Sequence, residues 1–350
     1  MAAPRRRITL RDIALHAGCH FTTVSLALRD RPEIPPETRE RIRRAADELG
    51  YHPDPMLASL SSYRHEHRPR RYRATLAWVT NFPGRDDWRE VEIYADYFAG
   101  ARERAKTLGF HLEEFWLRAD RMTAPRASQI LAARGIAGLV IAPQPEPAVE
   151  LDLQWEKFSA IAIGYSLARP ALHMVCPNQY RCIRLAFDHL RRRDYRRVGL
   201  VMLGASDARV DHNWLAGYLV ARQELPASGR LDPLILDRWD QAEFGRWLKR
   251  ERPDAIISKC AEALPALRAL GYLVPQQIGA AFLTEVKPSR EKSGVSEMPR
   301  EVGAAAIDFL AGMLHRNERG VPDQCRRLLI EGQWFDGRTV RPPGAERAAR

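Results

Sequence analysis

Residues 8–29 read ITLRDIALHAGCHFTTVSLALR, and few folds accommodate such a stretch. Thr9 with Asp12 three residues on is a capping box that opens a short helix. Ile13, Ala14 and Ala17 give this helix one apolar stripe, and Gly18 supplies a left-handed stop just past it. A second short helix starts near Phe21, with Val24, Ala27 and Leu28 spaced to face inward. Two short helices joined by a four-residue turn with a glycine near its start form the helix-turn-helix pattern. Phe21, Thr22, Ser25, Leu26 and Arg29 cannot share the inward face of the second helix, so they project to solvent. Hydroxyls, methyls, an aromatic edge and a guanidinium are groups that read base edges in a major groove. The competing reading is a plain helical hairpin, and the chain that follows argues against it.

The charge is uneven. Of 55 Lys and Arg against 44 Asp and Glu in 350 residues, residues 1–73 hold 15 and 9, a net +6; the other 277 hold 40 and 35, a net +5. A basic end on a nearly balanced body suits a nucleic-acid module attached to a globular domain. Arg5, Arg6 and Arg7 precede the first helix, where they suit phosphate contacts, a minor groove, or simply solvent. A third helix is expected over residues 36–49, with Pro36 at its first position, Glu37 at the positive end of its dipole and Gly50 as its stop. Its buried stripe is expected to be Ile42, Ala46 and Leu49. Beyond it, Asp54 and Pro55 open about two turns of helix through Leu60. A helix that short is marginal alone and forms only against a partner. Residues 64–73, rich in arginine and containing His65, His67 and Pro69, read as a flexible basic linker.

With these motifs in place, residues 8–62 resemble the headpiece of the LacI/GalR family of bacterial repressors. The likeness rests on the T-L-x-D-I-A-x-x-A-G opening, the T-V-S run, T-R-E-R-I in helix three and L-G-Y-x-P before the hinge. It implies a hinge helix that folds when two copies meet in the minor groove, with Leu60 at the position of the leucine that wedges between base pairs. Two departures stand out. His20 replaces the usual serine cap of the recognition helix, and Leu26 stands where many members carry a guanine-reading arginine. A bidentate Arg–guanine contact is worth about 1–3 kcal/mol of discrimination, so the preferred operator should differ from the family's commonest one. Arg29 is placed to take over a polar contact. The candidate DNA-binding residues are Thr9, Arg11, Phe21, Thr22, Thr23, Ser25, Leu26, Arg29 and Leu60.

From residue 73 onward short apolar runs alternate with helical stretches. Strands are expected at 75–80, 111–116, 138–142, 160–164, 198–203, 233–236, 255–258, 278–282 and 327–331. Helices are expected at 91–108, 127–134, 178–192, 214–223, 241–250, 261–269 and 300–315. Near-continuous apolar strands between helices mean parallel sheets covered on both faces, and about 275 residues fit two such lobes better than one. This part resembles, more weakly, the periplasmic-binding-protein-like core of the same family, with L-A-G-Y at 215–218 as one shared segment. Ligands of such folds lie at the carboxyl ends of the strands. The resemblance does not carry the family's sugar-holding residues over. Trp214 stands where a sugar-clamping arginine is common, residues 281–285 replace G-Y-D-D, and Ser258-Lys259-Cys260 replaces A-N-D. Strand-end placement gives Asn81, Trp116, Tyr165, Arg209, Asp211, Trp214 and Glu285 as candidate effector-binding residues, with ordinary loop duty as the alternative for each.

The overall expectation is an α/β chain in three parts: a three-helix headpiece (1–53), a hinge helix and basic linker (54–73), and a two-lobed doubly wound core (74–350). The function expected is that of a sequence-specific transcription regulator, a repressor by resemblance. Its partners would be double-stranded operator DNA, a carbohydrate-related small effector and a second copy of itself. A DNA-coating protein without sequence preference, a regulator whose core has lost effector binding, and a free-standing solute-binding protein are the alternatives. No hydrolase, P-loop, zinc-protease or dinucleotide motif is present, so no catalysis and no cofactor are expected. His65 and His67 sit in the arginine-rich linker, and no residue cluster has metal-type spacing. Five cysteines without a CxxC pair suit reduced thiols in a cytoplasmic protein. The amino terminus lacks a signal-peptide core, and no run of about 18 apolar residues suggests a membrane span.

Overall fold

A computed structural model of the protein describes residues 8–28, 34–49, 74–283 and 290–342, apart from the side chain of Ser25. The chain divides into two compact units, Met1–Arg70 and Arg71–Arg350. The expected hinge helix with Leu60, the basic linker, Arg29 and Glu285 lie outside the described residues.

The first unit holds α1 (Leu10–His16), α2 (Phe21–Ala27) and α3 (Pro36–Glu48). Thr9 and Asp12 make the capping box in both directions. Gly18 adopts φ +62°, a left-handed turn that a side chain would disfavour, and it lets the chain reverse between α1 and α2. Ile13, Ala14, Ala17, Val24, Ala27, Ile42, Ala45 and Ala46 form the buried centre, with Leu28 and Leu49 half-buried at its margin. Ala45 joins the stripe expected from the sequence, because the inward face of α3 is wider than three positions.

The second unit opens with β1 (Ala74–Thr80), α4 (Glu92–Leu108), β2 (Phe110–Trp116), α5 (Ala124–Ala133) and β3 (Gly138–Ile141). There follow β4 (Val149–Glu150), β5 (Ser159–Ile163), β6 (Leu167–Arg169) and β7 (His173–Pro177). Next come α6 (Gln179–Arg191), β8 (Val198–Leu203), α7 (Gly204–Ala208), α8 (Asn213–Gln223) and β9 (Leu234–Leu236). The chain ends with α9 (Gln241–Glu251), β10 (Ala255–Ser258), α10 (Ala263–Ala269), β11 (Gly279–Leu283), β12 (Ser293–Ser296), α11 (Pro299–Arg316), β13 (Arg327–Ile330) and β14 (Gln333–Phe335).

Two six-stranded sheets result, ordered β13-β7-β5-β3-β1-β2 and β14-β12-β11-β10-β8-β9. The first is parallel throughout; in the second only β14 runs antiparallel, paired with β12. Each sheet is apolar on both faces. In β1, Leu76 and Trp78 pack against α4 and α11, whereas Ala77 and Val79 pack against α5. In the second lobe Leu200 and Met202 face α6 and α8, while Val201 faces α9 and α10. Gly100 and Gly303 let α4 and α11 approach closely: a Cβ on Gly303 would lie 1.9 Å from the Tyr97 carbonyl oxygen. Burial of both faces of parallel strands is what the sequence pattern called for.

The chain passes between the lobes three times, at 177–179, 296–299 and 330–333. Two crossings are tied to each other, since the Asn178 amide donates to the Ile330 carbonyl (2.8 Å) and its side-chain Nδ2 to Glu331 Oε1 (2.8 Å). The sequence reading had no strand at β7 or β12. HMVCP and SGVS are short, and they carry histidine, proline or glycine where an apolar run would be expected.

Candidate functional sites

The first site is the outward face of α2. His20 is in extended conformation at the helix N-cap, and its Nδ1 accepts from the Thr22 amide (3.4 Å) and contacts Thr22 Oγ1 (2.8 Å). It thus fills the capping role that serine usually plays, provided Nδ1 is the unprotonated ring nitrogen. Phe21 and Leu26 are exposed (43% and 39%), unusual for side chains of their size on a helix whose opposite face is fully buried. Thr22 is exposed and Thr23 partly so. Arg11 is exposed on α1, and Thr9 is held in the capping box, with its Oγ1 2.6 Å from Asp12 Oδ2. The backbone of Ser25 lies on the same short helix.

The second site is the cleft between the lobes of the core. The carboxyl ends of β3, β5, β7, β8, β10 and β12 converge on a cavity of about 270 Å³. Tyr94, Tyr165 and Trp214 supply aromatic walls, and Gln179, Arg209, Lys259 and Glu297 the polar ones. Arg209 reaches from the second lobe to the first. Its Nε donates to Tyr94 Oη (2.9 Å), Nη1 to the Pro145 carbonyl (3.0 Å) and Nη2 to the Gln144 carbonyl. Trp214 is 1% exposed near the start of α8. That helix is fixed by buried Asp207, which accepts from the Leu215 amide (3.1 Å) and pairs with His212 Nδ1 (2.9 Å).

Lys259 and Glu297 set the electrostatics. The Lys259 ammonium lies 4.0 Å from the centre of the Trp214 ring. Burial pulls it below the ordinary lysine range; Glu297 opposes that shift, and Arg209 adds to it. Lys259 is half-buried. Glu297 is 3% exposed, and burial pushes its carboxyl up to about 7 against the attraction of Lys259. Trp214 Nε1 faces that carboxylate without meeting hydrogen-bond geometry. Trp214 Nε1, Gln179 Oε1 and Glu297 Oε1 are all buried without a hydrogen-bond partner among the described residues. Such orphans are scarce in folded proteins, and here three belong to residues that line one cavity.

Of the candidates read from the sequence, Tyr165, Arg209 and Trp214 come together in the cavity wall. Asp211 is exposed beside it, with φ +57°. Asn81 follows β1 and Trp116 ends β2, on the side of the sheet away from the crossings, and neither lines this cavity. Asn81 Oδ1 accepts from Arg118 Nε (3.2 Å), and Trp116 Nε1 donates to the Phe82 carbonyl (2.8 Å). Tyr94, Gln179, Lys259 and Glu297 were not among the candidates. Lys259 could have been found, because it follows an apolar strand directly at its carboxyl end.

A helix-turn-helix head joined to a two-lobed α/β core is the arrangement of a DNA-binding transcriptional regulator. Residues 9–54 match the model of the bacterial regulatory proteins, lacI family, and residues 187–340 that of the periplasmic binding protein-like domain. The HTH-type transcriptional regulator MalR of Streptococcus pneumoniae is 22% identical over 334 residues, 92% of this chain and 97% of that protein. The maltose regulon regulatory protein MalI of Escherichia coli is 26% identical over 198 residues, 56% of this chain and 54% of that protein. A crystal structure of the Lac repressor bound to ONPG superposes with a TM-score of 0.54 at 17% identity, covering 96% of this chain and 100% of that one. Residues 9–54 thus carry the DNA-binding module of the lacI family, and a relative that spans nearly the whole chain is a transcriptional regulator.

Proposed function

We propose that the protein is an operator-specific repressor that acts as a homodimer, its DNA affinity set by a small effector in the interlobe cleft. Each head places α2 in a major groove, with Phe21, Thr22, Thr23, Ser25, Leu26 and Arg29 toward the bases and Thr9 and Arg11 toward the backbone. Paired hinge segments bring Leu60 to the central minor groove. The observation that carries this reading is the exposure of Phe21 and Leu26 on a helix held from behind by the core of the head. A face turned away from the core of the head that presents apolar and hydroxyl groups together suits base edges. The effector reading rests on the cleft, where Tyr165, Arg209 and Trp214 surround a cavity of small-ligand size. A relative named for the maltose regulon points to a carbohydrate-related effector.

Selection of bound sites from random duplexes tests the proposal. A palindrome with two like half-sites is expected, bound about 10³-fold or more tightly than random DNA at moderate salt. Equal affinity for all sequences would replace this reading with that of a DNA-coating protein.

A further inference from the structure

We propose that the outer edge of β13 is an interaction surface for a second copy of this chain. Two β13 strands pair antiparallel about Leu329 and join the first-lobe sheets of two molecules edge to edge. The contact needs no DNA, so it goes beyond the meeting of two heads on an operator and is tested apart from it.

β13 lies at the margin of the first sheet, with β7 on one side and, among the described residues, no strand on the other. Its residues are exposed up to Ile330, including Leu328 (39%) and Leu329 (43%). The opposite margin, β2, differs: Phe110, Leu112 and Phe115 are buried there, and Glu113 and Glu114 pair with Arg134 and Arg89 of the same molecule. An exposed apolar edge strand is a template for a further strand. The Arg326 carbonyl accepts from the Met174 amide (2.9 Å) and the Ile330 carbonyl from the Asn178 amide (2.8 Å). By strand alternation residues 326, 328 and 330 turn their backbone groups toward β7, so Arg327, Leu329 and Glu331 turn theirs outward.

This parity limits how two copies can pair. In an antiparallel ladder, residues that exchange hydrogen bonds stand opposite one another, so a two-fold axis must pass through a residue rather than between two. At Leu329 the axis sets Leu329 against itself, Leu328 against Ile330, and Arg327 against Glu331. At Arg327 it would oppose two guanidiniums, and at Leu328 or Ile330 it would set a charged residue against a leucine. Leu329 is thus the centre that matches apolar with apolar and cation with anion, the cross-strand pairs that stabilise a sheet. The charges are available for this. Arg327 is exposed, its guanidinium lies 5.4 Å from the centre of the Tyr165 ring, and it has no carboxylate partner among the described residues. Glu331 holds Asn178 through Oε1, while its Oε2 stands 3.6 Å from Arg181 Nε, with both side chains open to solvent (62% and 61%). Charges that only guard an edge need no such match between one end of the strand and the other.

Sedimentation velocity of the full-length protein without DNA, over a wide range of concentration, tests this. The parent is expected to self-associate. Arg327→Glu sets like charges against each other at both ends of the pairing and should weaken that association about ten-fold or more. Leu329→Lys, at the centre, should weaken it at least as much. Combining Arg327→Glu with Glu331→Arg restores unlike pairs and should recover most of the loss, in spite of the lost bond to Asn178. Melting transitions show that each variant is folded, as expected for exposed side chains. In the parent, hydrogen exchange at the amides of Arg327, Leu329 and Glu331 should slow as concentration rises. A parent that stays monomeric, a combined variant no stronger than Arg327→Glu alone, or exchange at 327–331 indifferent to concentration would each overturn the inference. Association that ignores both Arg327→Glu and Leu329→Lys would overturn it too, while leaving intact a homodimer built on another surface.

Discussion

The head and the cleft are opposite solutions to carrying function. In the head, the reading face lies outside and its supports are local: the capping box closes on itself, His20 caps α2, and the apolar stripes meet in one small centre. In the cleft, the chemistry lies inside: burial pushes both Lys259 and Glu297 toward their neutral forms, and three polar atoms are buried without a hydrogen-bond partner. An exposed face can be altered without touching the fold. A buried, unsatisfied one cannot, because the same residues hold the walls together and wait for a partner. Substitutions in the cleft should therefore move stability first, and substitutions in the head should move DNA sequence preference alone.

The largest effect belongs to Trp214→Ala. The indole is fully buried in the second-lobe core beside Tyr218 and Leu283, and it also carries the Lys259 ammonium on its face. Truncating a buried tryptophan costs about 3–5 kcal/mol. A drop of several degrees in the melting transition of the core is expected by calorimetry, with loss of any ligand-induced stabilisation. An unchanged transition would show that the cleft wall is not part of the core, and the contrast with the head would weaken.

Glu297→Gln comes second and sharpens the point through pH. An acid whose carboxyl rises to about 7 on folding binds more protons folded than unfolded, from the ordinary glutamate range up to 7. Its contribution to stability is then fully present below the unfolded value, falls as pH rises through that window, and is flat above it. The loss is bounded at about 3 kcal/mol for a shift of this size. Denaturant unfolding of the ligand-free protein at pH 4.5, 6 and 7.5 should show this decline in the parent and not in the variant. A parallel decline in both would place its origin in other groups.

These two residues also show what a sequence does and does not reveal. Everything the head needs lies within 40 consecutive residues, where spacing, caps and glycine act over a turn or two; α1, α2 and α3 fall where the pattern puts them. The lobes were legible for the same reason, since an apolar strand such as VGLVML or AIIS declares itself. The cleft was only half legible. Tyr165, Arg209 and Trp214 follow recognisable segments. Glu297 follows SGVS, a strand too small and polar to read as one, and Tyr94 and Gln179 sit on helices whose cavity-facing side depends on how the lobes close. Asn81 and Trp116 satisfy the strand-end rule, yet strand order carries β1 and β2 away from the crossings, and that order is a long-range property.

Thr22→Ala is the smallest change in stability and the sharpest test of the contrast. The side chain is exposed, and its hydroxyl contacts His20 Nδ1, while the helix keeps its cap because the Thr22 amide remains the donor. Surface substitutions of this kind stay within about 0.5 kcal/mol, so the melting transition of the head should hold. Against a panel of duplexes with single base changes in the selected half-site, the variant should lose discrimination at one or two adjacent positions and keep it elsewhere. Uniform weakening across the panel would assign the hydroxyl to the phosphate backbone, where contacts position a protein without informing it. A fall in stability comparable to that of Trp214→Ala would erase the distinction between an outer face free to vary and an inner one that is not.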